Sequence, residues 1–479
     1  MPARFLTINR GVPPELVDGF LALQENLSIE IDFPDEVVNA AQASASDPIS
    51  DASRVDHTGV EFVTIDPPNS RDLDQAVFIE RTDGGYRVWY AIADVAAWVE
   101  PGGPIDQECQ RRGQTMYAPR AKAPLHPPVL SEDAASLLAD GVRRPALVWQ
   151  VELDDEGRQT AATVERGWVI SREKLSYEGV QAQLDSDTAS GSLQLLRTVG
   201  LLREQLEIER GGVSLAIPEQ EIEAHGSEWT LTFRRSLPVE GWNAQISLLT
   251  GMAAATMMLD AGVGILRTLP PAEQWGIDKL RRQAKALKIR WPGSVSYPEF
   301  VRSLDAAEPD HQAMLNFATS LFRGAGYTVI DSGKKDANHL HGALAANYTH
   351  TTAPLRRLVD RYVGEVCVHL SAGEPVPTWV LDALPALPQL MAESDARAKK
   401  FERGVVNLVE ALVLRHRVGE VFEGVVVDVH PKRGATVSIP DPAIEAPLTG
   451  DDATLGEVVR ARLDRVDLTA GSVSFSLVT

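Results

Sequence analysis

At 479 residues, with 44% hydrophobic and 24% charged positions, the chain has the make-up of an ordinary globular protein of about three domains. A net charge of −21 excludes a uniformly basic nucleic-acid binder and leaves only local basic surfaces for that purpose. Two distant cysteines, Cys109 and Cys367, support neither a disulfide framework nor a zinc-type spacing, which fits a reducing cytoplasm.

The first residues, MPARFLTINRG, lack the apolar core of a signal peptide. Pro13-Pro14 then opens a helix with Leu16, Phe20 and Leu23 at helical spacing, and FPDEVVNAAQA reads as a second helix. The Ser/Asp-rich run SASDPISDASRVDH reads as a linker. From Thr58 to Leu153 the pattern is β-rich, with VEFVTI, AVFIERT and YRVWYAIADV as strands and Asp83-Gly84-Gly85 as a hairpin turn. Helical patterns dominate from Leu175 to Arg417, broken by a strand pair within VSLAIPEQEIEAHGSEWTLTF. The most apolar stretch, Ile246 to Leu266, carries Asp260 and several Gly/Thr interruptions, so it reads as a buried helix rather than a membrane span. Short alternating runs after Arg417 predict a small β-barrel. The fold class expected is therefore α+β.

The loop TIDPPNSRDLDQA places Asp66, Asp72 and Asp74 within nine residues, around a Pro-Pro that forbids helix. Like charges repel, and a common reason to crowd them is a cation. In an extended segment Asp72 and Asp74 share a side while Leu73 points away. Three oxygen donors suit Mg²⁺, which takes few carboxylates and keeps water and phosphate oxygens as its other ligands. Taken alone, this spacing fits a solvated Asp-rich turn better.

A second block, NYTHTTAPLRRLVDRYVGE, combines Tyr348 and His350 with Pro354, Arg356 and Arg357. A proline followed by a helix bearing paired arginines brings cationic forks to a helix start, a favourable place for phosphate. The acidic loop and the arginine block are the two halves that a phosphodiesterase needs. KLRRQAKALKIR, Lys279 to Arg290, is a further basic segment and includes Lys279 and Arg282.

These residues resemble the ribonuclease II family, whose catalytic unit is the RNB domain. DPPNSRDLDQA matches its D-x(5)-D-x-D-D loop in all but the last acid. AIADVAAWV, RGQTMYAP, EKLSYEGV and YTHTTAPLRR resemble further family segments in the same order, and the ending resembles an S1 domain. The resemblance implies a mixed β-sheet core wrapped by helices over residues 55–415, an OB-like S1 barrel over 416–479, and a small helical region with its linker over 1–54. It leaves no room before Thr58 for a pair of cold-shock domains.

The implied activity is a processive, hydrolytic 3′-to-5′ exoribonuclease. It would act on single-stranded RNA in decay or processing and release nucleoside 5′-monophosphates. Two Mg²⁺ ions, with Mn²⁺ able to substitute, would be held by Asp66, Asp72, Asp74 and Gln75. Asp74, Asp72 and Arg356 would be catalytic, Arg356 at the scissile phosphate. Tyr117, Tyr177, Tyr348, His350, Arg357, Lys279 and Arg282 would bind RNA. A cytoplasmic monomer without membrane contact is expected.

Two substitutions depart from the pattern. Gln75 replaces the fourth acid, and Asn243-Ala244-Gln245 stands where the family has an acidic pair engaged in ribose recognition. They raise two alternatives: a catalytically weak RNA-binding relative, and a phosphodiesterase with relaxed RNA/DNA selectivity. The barrel offers few cations (Lys432, Arg433, Arg460, Arg462, Arg465), with Phe422 and Phe475 as its aromatics.

Overall fold

The computed structural model describes residues 14–47, 53–117, 122–215, 219–225, 228–330, 339–430, 434–450 and 453–478. Lys432 and Arg433 lie outside them. Helix α1 (Pro14–Asn26) buries Leu16 and Phe20, and α2 (Asp35–Ser46) buries Val37 and Ala41, as the apolar spacing predicts.

Seven strands build the central sheet: β1 (Val55–Asp56), β2 (Phe62–Ile65), β3 (Gln75–Thr82), β4 (Gly85–Ala93), β5 (Arg144–Asp154), β6 (Gln159–Val169) and β7 (Ser171–Leu175). Their order is β1-β6-β5-β4-β3-β2-β7. The middle of the sheet is antiparallel, and the two outer pairings, β1 with β6 and β2 with β7, are parallel. The β3–β4 hairpin turns at the expected Asp83-Gly84. Gly85 follows with φ +144°, and a Cβ there would lie 2.1 Å from the Leu153 carbonyl oxygen, so only glycine fits. Helix α3 (Pro104–Arg112) lies between β4 and β5.

Helices α4 (Tyr177–Asp185), α5 (Gly191–Glu209) and α6 (Pro238–Ala261) follow, with the predicted strand pair observed as the β8 (Glu219–His225) and β9 (Glu228–Arg234) hairpin. The apolar stretch Ile246–Leu266 is not one helix. Gly262, at φ +72°, caps α6, Gly264 turns the chain at φ +136°, and Ile265 enters β10 (Ile265–Thr268). Among the described residues no helix is long and apolar enough to cross a membrane.

Helices α7 (Gln274–Ala286), α8 (Tyr297–Arg302) and α9 (Pro309–Ala318) precede β11 (Gly326–Val329), which pairs with β10 in a region where helix alone was expected. Two-residue strands β12 (Leu340–His341) and β13 (Ala346–Asn347) pair next. Helices α10 (Leu358–Ala372), α11 (Thr378–Ala383) and α12 (Leu387–Leu414) complete the helical layer. One core runs from the sheet into α5, α6 and α10.

The C-terminal barrel closes in the order β14 (Val421–His430), β15 (Gly434–Pro440), β16 (Ala443–Thr449), β18 (Ser472–Leu477) and β17 (Val458–Asp467). Phe422 and Phe475 meet edge-on at 5.8 Å inside it, so both are core and neither is a stacking platform. A second core joins the barrel to α1, α12 and β9, and a third joins α7 to α9 with Val425 and Val427 of β14.

Candidate active site

Parallel pairing of β2 with β7 sets Ile65 beside Leu175, and the Asp66 N–H donates to the Leu175 carbonyl at 3.0 Å. Asp66 therefore leaves the sheet next to Tyr177, the first residue of α4, where the Ser176 hydroxyl caps the helix by accepting from Gly179 N–H. The loop runs on to Asp74 and rejoins the sheet at Gln75. Lys174 Nζ donates to the Pro68 and Ser70 carbonyls at 2.7 and 2.5 Å. Buried Ser136 accepts from Leu73 N–H at 2.9 Å and donates to the Arg71 carbonyl at 2.6 Å. Leu73 is fully buried, as the alternation predicted.

The arginine block meets this loop through backbone groups. Leu355 N–H donates to Asp74 Oδ1 at 2.7 Å, and Arg356 Nε lies 3.5 Å from Asp74 Oδ2. Thr115 N–H donates to the Arg356 carbonyl at 2.9 Å, and Leu358 N–H to the Gly113 carbonyl at 3.0 Å. These bonds carry Tyr117 into the site, its hydroxyl 3.5 Å from Asp72 Oδ2. Asp72 Oδ1 faces Lys122 at 3.1 Å. Buried His126 contacts the Leu355 carbonyl through Nδ1 at 3.2 Å, and burial holds its pKa down at about 4, so it stays neutral.

Burial pushes Asp74 up to about 8, against the pull of Arg356 and the Leu355 N–H, with Asp72 repelling from nearby. Burial likewise raises Asp66 to about 6, with Asp72 adding repulsion and Arg356 and Lys174 opposing it. Thus two of the three acids are held where ionisation is costly. Among the described residues no three Asp, Glu, His or Cys side chains converge as a preformed metal cluster. The donor chemistry still fits a hydrated Mg²⁺, which takes few protein carboxylates and would offset the charge that burial leaves exposed to repulsion.

Gln75 accepts a hydrogen bond on Oε1 from the buried Tyr90 hydroxyl. Tyr177 receives a long contact from Asn243 Nδ2, 3.4 Å from its hydroxyl. Arg357 is clamped by Asp360 through two 2.9 Å bonds, and Asp360 also accepts from Ala353 N–H at 2.7 Å. Tyr348 and His350 form a neighbouring ring cluster with His341 and Tyr327, in which the Tyr327 hydroxyl and His350 Nδ1 are 2.5 Å apart. Gly251 of α6 makes room for this segment, since a Cβ would lie 2.3 Å from the Tyr348 ring. Lys279 and Arg282 stand apart on α7, outside this constellation.

The structure thus gathers Asp66, Asp72, Asp74, Gln75, Tyr117, Tyr177 and Arg356 in one place. Sequence reasoning missed Tyr90, Lys122, Lys174, His126 and Ser136. Lys174 stands within the quoted segment EKLSYEGV, while the others carried no local signal.

The chain matches the family model described as the RNB domain over residues 54–371, about two thirds of its length. It belongs to the RNB family. Residues 420–478 match the model described as the RNase II-type exonuclease C-terminal S1 domain. Ribonuclease R of Escherichia coli (strain K12) is 25% identical over 479 aligned residues, covering 89% of this chain and 58% of that protein. The exosome complex exonuclease RRP44 homolog A of Arabidopsis thaliana is 27% identical, covering 85% of this chain and 45% of that protein. The chain thus spans about half the length of the curated relatives it matches.

Among solved structures, Mycoplasma genitalium RNase R in complex with ribose methylated single-stranded RNA aligns with a TM-score of 0.86 at 20% identity, covering 96% of this chain and 77% of that one. Yeast Ssd1, described as a pseudonuclease, aligns at 0.68 with 15% identity, covering 87% and 53%. This RNB chain therefore shares its fold with an RNase R and with a protein described as a pseudonuclease.

Proposed function

We propose that this RNB protein is a Mg²⁺-dependent hydrolytic exoribonuclease that degrades single-stranded RNA from the 3′ end, processively, to nucleoside 5′-monophosphates. The observation that carries the reading is the meeting of the acidic loop with the arginine block, with Arg356 beside Asp74 and close enough to act on Asp66 and Tyr177, and Tyr117 beside Asp72. Bound at the three acids, Mg²⁺ would supply a Lewis acid and an activated water for attack on phosphorus.

The chain's own residues do the rest. Leu355 N–H and Ser136 hold the acidic loop in register with the arginine block. Arg356 stands beside Asp74 to offset charge that grows on the phosphoryl oxygens. Tyr117 and Tyr177 offer ring faces on which any base can stack. Arg357, tied to Asp360, holds the helix start rather than offering a free fork, and phosphate contact would fall chiefly to Arg356.

Gln75 and Tyr90 favour one second reading. With one lone pair of the Gln75 carbonyl oxygen taken by Tyr90, the position offers the cation no charge and a single remaining lone pair, as a weak catalyst that binds RNA would have it. A 5′-labelled single-stranded RNA, with and without Mg²⁺, on wild type and Asp74→Asn, separates the two. Mg²⁺-dependent collapse to short end products, absent in the variant, is the expected result. Intact RNA with a retained gel shift would leave only the binding protein.

A further inference from the structure

The most exposed large apolar side chain among the described residues is Trp275, 67% exposed at the start of α7. Its indole N–H donates to the Glu273 carboxylate, which steadies one edge of the ring. Helix α7 buries Gly276, Leu280 and Ala284, so Trp275, Lys279 and Arg282, at i, i+4 and i+7, share the opposite, solvent-facing side.

From Lys279 to Arg290 the chain carries six cations and no acid, inside a protein of net charge −21. Arg281 is already committed, stacked on Trp291 at 4.2 Å and donating to the Val295 carbonyl at 3.2 Å. Among the described residues Lys279 and Arg282 pair with no carboxylate. An exposed indole flanked by unpaired cations has the chemistry of a nucleic-acid strand, base on ring and phosphate on ammonium or guanidinium.

Its position is telling. The chain enters α7 from Pro270-Pro271, against which Gly342 packs so tightly that a Cβ would lie 2.8 Å from Pro271 Cα. Gly342 follows His341, whose ring meets Tyr348 edge-on at 5.9 Å. The tryptophan end of the strip is therefore the end that the chain joins, through Pro270-Pro271 and Gly342, to the Tyr348–His350 cluster. At about 1.5 Å per residue, Arg282 lies roughly 10 Å further along the helix.

We infer that Trp275, Lys279 and Arg282 form an outer strip for single-stranded RNA, holding the strand 5′ to the part engaged at Asp74. This rests on the exoribonuclease reading, which sends the 3′ end inward and leaves the 5′ remainder outside. Stacking on Trp275 is indifferent to base identity, so the strip would hold any sequence while the strand is threaded.

The test uses the full chain in an Asp74→Asn background, with 5′-labelled single strands of about 5 and about 20 nucleotides. Adding Trp275→Ala should weaken the long strand about tenfold and leave the short one unchanged. Replacing Lys279 and Arg282 together by Gln should lower the slope of log affinity against log salt by about 1.4 on the long strand. Because all three side chains are exposed, the variants should melt with their parent. Equal long-strand affinity with and without Trp275, in a protein whose wild type degrades RNA, overturns the strip alone and leaves this face to a protein partner. Equal losses on both lengths overturn it too, since they place the effect at the catalytic site or in the fold. A wild type that leaves RNA intact overturns the exoribonuclease reading, and the strip with it.

Discussion

Replacing Asp74 by Asn probes the most buried of the site carboxylates. The Asn side-chain oxygen can keep the 2.7 Å bond from Leu355 N–H, while the second carboxylate oxygen, 3.5 Å from Arg356, becomes an amide nitrogen. Burial raises Asp74 from 3.8 to about 8 in the folded protein. An acid raised in this way binds its proton more tightly folded than unfolded. Its stability contribution is therefore whole below about pH 4 and is lost as pH climbs through 8. At about 1.4 kcal/mol per pKa unit, the cation-free protein gives up on the order of 5 kcal/mol at pH 8 through this one group. Asparagine carries no proton to lose. In EDTA the variant should thus melt well above wild type at pH 8, and the two curves should approach each other towards pH 4. Mg²⁺ should narrow the gap at pH 8, because a ligand of the native state stabilises wild type more. Hydrolysis should fall about a thousandfold or more, with RNA binding kept. Circular-dichroism melts at pH 5 and 8, run beside RNA decay and gel shift, read every part. A variant that is less stable than wild type at pH 8 in EDTA refutes the electrostatic reasoning. A variant that hydrolyses RNA at the wild-type rate refutes the assignment of Asp74.

Ser136→Ala removes one side chain that satisfies two groups of the acidic loop, Leu73 N–H and the Arg71 carbonyl, and should cost about 2 kcal/mol in urea unfolding. It should also slow RNA hydrolysis, although Ser136 is buried and belongs to a different segment of the chain; unchanged stability and rate would show that the loop holds its shape without it. Glu410, buried in α12, accepts from Gln220 at 2.9 Å where that side chain also reaches the Ala443 carbonyl, and burial raises its pKa to about 7. The sign is again that of a raised acid, with stability present below about pH 4.5 and lost through pH 7. Glu410→Gln should therefore stabilise the protein by about 3 kcal/mol at pH 8 and by much less at pH 5. Urea midpoints at the two pH values check this, and an equal shift at both would deny the ionisation.

Local chemistry was readable in advance where it decides structure locally. The glycine-bearing β3–β4 turn, the proline-led α1 and the alternating strands of the C-terminal barrel all stand where pattern and propensity put them. The three aspartates were conspicuous because their crowding needs an explanation. What sequence could not show is how they are held. Ser136 bonds Leu73 from 63 positions away and Leu355 bonds Asp74 from 281, one through a serine in an unremarkable Ala/Ser/Leu run and the other through a backbone N–H that any residue but proline would supply. The β10–β11 pair escaped notice for another reason. Its four-residue strands lie between long helices, and a glycine pair turns the chain into the first of them, so no window holds enough alternation to register.

The acidity of the chain and the proposed RNA substrate are reconciled by where cations are left unpaired. In the barrel Arg462 and Arg465 are answered at about 3 Å by Asp464 and Asp467, and Arg460 stands opposite Glu423 across the β14–β17 pairing. These three arginines of the described barrel are thus opposed, and its two phenylalanines are spent on its core. In the RNB domain Arg357 and Arg361 are tied to Asp360 and Asp106. Arg356 differs, being only loosely opposed by Asp74 with Nε unbonded. Together with the open face of α7, where Lys279 and Arg282 pair with no carboxylate among the described residues, it offers a strand two cationic stations. A polyanion approaching a chain of net charge −21 meets long-range repulsion, which leaves attraction to such local stations. Under the proposed function, a single strand running from α7 to Arg356 would meet both stations.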